Sequence, residues 1–162
     1  MYYGILEAIA AVGVAIAGFS GVVFVLGDRA GRRLTEVEKN GLFHLLYTSL
    51  GPVVIALILH ALLSSGINEA GVWRAGCGIG GIHIIFGASR AFWETRHDKV
   101  SWRGVLARAA IVVAIALGLA NLVIAAGFLS DFASLGCLAL LILLLWVSMM
   151  NYASLLVAEA QE

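Results

Sequence analysis

Residues 73–97 read WRAGCGIGGIHIIFGASRAFWETRH. At helical spacing this stretch gives Trp73, Gly76, Gly80, His83, Gly87, Arg90, Glu94 and His97. These positions step by three and four, so a helix puts them on one face. Three of the eight are glycine, which helix interiors in water disfavour. In lipid, a glycine face lets a neighbouring helix approach closely, and a histidine at mid-depth faces protein or water. The stretch therefore predicts a membrane helix that serves as the hub of its neighbours.

The rest of the chain agrees with a membrane setting. Its 162 residues are 62% hydrophobic and only 12% charged. Soluble domains carry about 25% charge, so a soluble fold is excluded and a single transmembrane domain over residues 1–162 is expected. Formal net charge is zero, and no basic surface for nucleic acid is evident. Cys77 and Cys137 stand far apart with no CxxC spacing, which supports neither a zinc site nor a thioredoxin-type motif. The first residues lack the positive region of a signal peptide, so no cleavage is expected.

A span takes about 20 apolar residues. Five segments qualify, at 4–27, 41–63, 71–93, 105–129 and 133–157, and together they predict an all-α bundle of five transmembrane helices. The third is the least apolar, because it holds Arg74, His83, Ser89 and Arg90. Charge then orients the chain. Arg29, Arg32, Arg33 and Lys39 lie between spans one and two, while Arg90, Arg96, Lys99, Arg103 and Arg108 surround the junction of three and four. Only Arg74 falls on the other side. The positive-inside rule puts both basic loops in the cytoplasm, the N-terminus outside and the C-terminus inside. A bacterial inner membrane is the expected location.

Several local features follow. Gly13, Ala17 and Gly21 repeat at four-residue spacing, and packing within one subunit is favoured over an oligomer contact. Glu7 and Arg74 lie at similar depth, so they either pair or reach separately to the interface. Pro52 bends the second helix, with Thr48 or Ser49 available to a freed backbone group; a fixed bend is favoured over a gate. Thr35 with Glu38, Asn68 and Ser101 read as caps for helices two, three and four. Trp73 reads as an outer-belt aromatic. The fourth span has its own small face, Ala107, Ala110, Ala114, Gly118, Asn121 and Ala125, which is expected to meet the glycine face of the third. Leucines at 138, 140, 141, 143, 144 and 145 surround the fifth helix and read as lipid-facing. Gly80→Leu is accordingly expected to do more damage than Leu141→Ala. Ser148, Asn151, Tyr152 and Ser154 are candidates to face the bundle.

No nucleophile elbow, phosphate loop, HExxH or paired intramembrane carboxylates occur, so an enzyme is disfavoured. The glycines at 76–81 are read as packing, since a dinucleotide fingerprint needs a preceding strand. Haem is disfavoured too. His44 and His60 sit on nearly opposite faces, about 24 Å apart along one helix, and His83 lies at a third depth. Haem aside, no cofactor is expected. His83 is balanced between a proton or cation path and a neutral ring hydrogen-bonded to Asn121, a serine or a carbonyl. For Cys77 and Cys137, buried free thiols are favoured over a disulfide. The first functional reading is an oligomeric channel or transporter-like protein for protons, ions or a small solute. His83, Asn121, Arg90, Glu7, Arg74, His60 and His44 are its candidate polar positions, and Gly13, Ala17, Gly21, Gly76, Gly80, Gly87 and Gly118 its packing positions. The alternative is a non-catalytic subunit docking to a membrane partner, with a haem or redox protein last. Lipid and a second copy, or another membrane protein, are the expected partners.

Overall fold

The computed structural model describes residues 2–29, 36–95 and 102–159, and every regular element among them is helical. In order these are α1 (Tyr2–Arg29), α2 (Glu36–Ser64), α3 (Glu69–Thr95), α4 (Trp102–Ala125) and α5 (Ala133–Glu159), with a 3-10 turn at Ser130–Phe132 before α5. Tyr2–Val22, Lys39–Ser64, Arg108–Ala125 and Ser130–Tyr152 are long and apolar enough to cross a membrane. α3 has 27 residues, about 40 Å of helix, but it carries Glu69, Arg74, Arg90 and Glu94 and a glycine-rich middle. The Thr35 and Ser101 caps and the basic positions Arg32, Arg33, Arg96 and Lys99 lie outside the described residues.

The turns use ordinary chain chemistry. Two residues past the end of α2, Gly66 takes a left-handed conformation, φ 76°. The Asn68 side chain then accepts a hydrogen bond from Ala70 N–H at 3.2 Å, the geometry of an N-cap for α3. Between α4 and α5 the chain reverses through Gly127, φ 102°, and Leu129, φ 60°. Helix α4 stops at Ala125, four residues before the end its apolar run predicts, because Gly127 N–H turns back to Ile124 O at 3.0 Å.

The chain forms two compact units, Met1–His60 with Leu141–Glu162, and Ala61–Leu140. In the first, α1 and α2 are antiparallel: Glu7 meets His60, and Gly13 meets Val53 and Ser49. A Cβ at Gly13 would lie against Val53 Cγ2 and 2.8 Å from the Ser49 carbonyl oxygen, so only glycine permits this crossing. Leu145 of α5 stands at the same level, and Ser148 donates to Leu45 O at 3.3 Å. Level 145 thus matches 49, and 148 matches 45. α5 therefore runs opposite to α2 and in the direction of α1. Gly21 is exposed with nothing near it, so the four-residue repeat of α1 makes a close crossing at Gly13 and none at Gly21.

Pro52 lies inside α2. The neighbouring hydroxyls do not serve the carbonyl it displaces, that of Thr48. Thr48 Oγ1 donates to His44 O at 2.8 Å and Ser49 Oγ to Leu46 O at 3.2 Å, each one turn earlier. Helical backbone already offers these acceptors at the right distance, which is why the nearer carbonyls win.

In the second unit, α3 and α4 are antiparallel, with Gly78 against Ala125 and Gly81 against Gly118. α3 and the start of α5 are parallel, since Cys77 meets Ala133 and Gly80 meets Leu140. The small residues of α3 thus serve two neighbours: Gly78 and Gly81 face α4, whereas Cys77 and Gly80 face α5. The single glycine face of the sequence reading is corrected accordingly. Gly76 and Gly80 are buried and Gly87 is half-buried.

Two further expectations are corrected. Leu141 is fully buried, and Leu138, Leu140, Leu144 and Leu145 are buried with it. The fifth helix is a core helix on that side, so leucine on all sides here marks packing as well as lipid contact. Trp73 is buried too, with its indole N–H donating to Glu69 Oε1 at 3.3 Å, so it is an internal aromatic and not a belt residue.

Candidate functional site

Two clusters gather the chemistry-bearing side chains, one in each unit. In the first, the ends of α1 and α2 bring Glu7 Oε1 to 3.2 Å from His60 Nε2. The antiparallel crossing at Gly13 sets this register, as Glu7 is about two turns back on α1 and His60 two turns on from Val53. Tyr3, one turn from Glu7, packs edge-on against the imidazole with ring centroids 5.3 Å apart. The Glu7 side chain is 68% exposed and that of His60 34%. The pair thus links water to the helix ends and becomes an ion pair when the imidazole is protonated. Arg74, the partner offered by the sequence, has a different place in its own unit. Its Nε donates to Ala125 O at 3.2 Å, and its guanidinium lies 2.9 Å from where a Cβ on Gly127 would sit. A cation over the last carbonyls of α4 meets the negative end of that helix, so Arg74 is a C-terminal cap.

In the second unit, Cys77, Asn121, Ala133, Gly136 and Cys137 converge from three helices. Both thiols are free and buried. Cys77 donates to Ala133 O at 3.2 Å. Asn121 is 5% exposed; its Nδ2 donates to Leu117 O at 3.1 Å, within its own helix. Its Oδ1 is buried and has no hydrogen-bond partner. Gly136 explains why these groups can gather. The point where its Cβ would be lies 3.5 Å from Asn121 Oδ1 and 3.9 Å from Cys77 Sγ, and only Ile124 Cδ1, the far end of a flexible side chain, comes nearer at 2.9 Å. The absent methyl leaves a notch with an amide oxygen on one side and a thiol on the other.

Asn121 therefore does not hydrogen-bond to His83. His83 is half-buried, with its Nε2 out of reach of solvent. Arg90 is exposed near the end of α3, and His44 is half-buried with Phe43 edge-on at 6.1 Å. These three residues belong to neither cluster. Tyr3, Gly136 and Ala133 were missed by sequence reasoning, since their roles arise only from contacts between helices. No group of three or more histidine, cysteine or acidic side chains suited to a metal ion occurs among the described residues.

These features define an all-helical chain with four helices able to cross a membrane. Comparison with protein-family models, curated proteins and solved structures finds no match to it.

Proposed function

We propose that this is an integral inner-membrane protein of five crossings, acting as a homo-oligomeric channel or transporter-like protein for protons or small cations. The direction of α5 supports the fifth crossing. α5 runs with α1 and against α2, so the chain leaves α2 and enters α5 on the same side. Between them α3 and α4 then cross either both or not at all. Since α4 is apolar enough to cross, α3 crosses with it. The clustering of lysine and arginine supports an external N-terminus and a cytoplasmic C-terminus.

The observation that carries the transport reading is the Glu7–His60 pair. A carboxylate and an imidazole in contact at the outer helix ends of so apolar a chain form an entry point where a proton or cation is exchanged with water. Flux into proteoliposomes is the test. Glu7→Gln and His60→Gln should each lower proton or cation flux. Unchanged flux in both folded variants would remove the pair from transport. A monomer that copurifies with a stoichiometric membrane partner would favour the docking-subunit reading instead.

A further inference from the structure

We propose that Cys77 and Cys137 form a binding site for one thiophilic divalent d10 cation, of the zinc or cadmium type, with Asn121 Oδ1 as the third donor. The two thiols come from different helices, α3 and α5: Cys77 Sγ bonds to Ala133 O, one turn before Cys137, and lies 3.9 Å from the Cβ position of Gly136, the residue next to Cys137. Soft thiolate donors select such cations. The second observation is independent of the cysteines: Asn121 Oδ1 is buried, accepts no hydrogen bond and borders the notch beside Cys77 Sγ. An orphaned buried oxygen is costly, and a cation in the notch satisfies it.

The charge balance favours a divalent ion. Two S–H bonds break, two metal–sulfur bonds form, and two protons leave to water. No electron changes hands. The product, a dication with two thiolates, is neutral and so suits a buried apolar setting that penalises net charge. The hydrogen bond from Cys77 to Ala133 O is given up in the exchange. The site lies in the first turns of α5, beneath the exposed turn at Ser130–Phe132, so an ion has a short route from the helix ends.

Titration of the reduced, detergent-solubilised protein with cadmium chloride tests the proposal. The thiolate-to-cadmium charge-transfer band should rise to saturation at one equivalent, with the intensity of two thiolates, and zinc should compete it away. Cys77→Ser and Cys137→Ser should each abolish the saturable band. Asn121→Leu should weaken binding, because one of the donors is lost. The wild-type titration stands whether or not the variants fold. No saturating band in the reduced wild-type protein overturns the site, as does a band that persists in Cys77→Ser. Isolation of an intramolecular disulfide, with no cadmium binding after its reduction, overturns it in favour of a redox role.

Discussion

The crossing of α3 and α4 yields a quantitative prediction. At Gly81 a Cβ would stand 2.9 Å from the Gly118 carbonyl oxygen and 3.2 Å from Leu122 Cδ2 and Cγ. Ordinary contact begins at 3.4 Å, so an added methyl is about 0.5 Å too close to backbone. A leucine can turn aside, but a carbonyl within a helix cannot. Gly81→Ala must therefore separate the two helices. Gly18 of α1 is a control, because nothing lies within 4 Å of its Cβ position. Both substitutions gain the same helix propensity, about 1 kcal/mol. That gain cancels in the comparison, and the remainder is the overpacking term, about 1–3 kcal/mol.

The assay is reversible unfolding in mixed micelles at increasing dodecyl sulfate, followed by circular dichroism. Gly18→Ala should be as stable as the parent or up to about 1 kcal/mol more stable. Gly81→Ala should lie below it by about 1–3 kcal/mol, a factor of roughly 5 to 150 in the folding equilibrium. Gly118→Ala should behave like Gly81→Ala, as its Cβ would come within 2.6 Å of Ile85 Cγ1 and 2.7 Å of Ile84 Cγ2. Equal stabilities for Gly18→Ala and Gly81→Ala would refute the close crossing.

Two further outcomes are expected from the same assay. Leu141→Ala should cost about 2–5 kcal/mol, since the side chain is fully buried; a loss under about 1 kcal/mol would show that it faces lipid. Gly127→Ala should cost at least about 1–2 kcal/mol, because φ 102° is strained for any side chain and the new methyl would press on the Arg74 guanidinium. In Arg74→Ala the second penalty should vanish, so the two substitutions should be less damaging together than their sum.

The apolar runs of α1, α2, α4 and α5 were legible because each run is itself what makes a helix able to cross a membrane. The Asn68 cap was legible for a related reason: its donor lies two residues away. What the sequence did not resolve is which neighbour each small face meets. Gly76, Gly78, Gly80 and Gly81 occupy more than one side of α3, so close packing is readable but its partners are not. Leu141 shows the same degeneracy in α5. Leucine satisfies both lipid and a packed interior, and no periodicity separates them when leucine surrounds the helix.

The polar residues failed as guides for a different reason. Glu7 and Arg74 were matched by charge and depth, and Asn121 with His83 by polarity. In the structure Arg74 instead meets a backbone carbonyl, Ala125 O, and the Asn121 amide returns to Leu117 O. Every residue carries a carbonyl, so a sequence cannot show which ones a helix end leaves open to a side chain. The thiol pair lies further still from what a sequence displays. Cys77 and Cys137 meet because Gly80 lets Leu140 in, which sets α3 beside the start of α5, and because Gly136 leaves room beside Asn121. Two side chains are thus brought together by two absent ones. Read one position at a time, Cys77 and Cys137 look like isolated buried thiols. Read through the glycines, they are two donors of one site, and filling the notch should expose the difference. Gly136→Ala would place a methyl between Asn121 Oδ1 and Cys77 Sγ, moving only the tip of Ile124. The fold should survive that change, while cadmium affinity should fall as it does in Asn121→Leu. Undiminished affinity in a folded Gly136→Ala protein would separate the thiols from the notch and leave the amide oxygen outside the site.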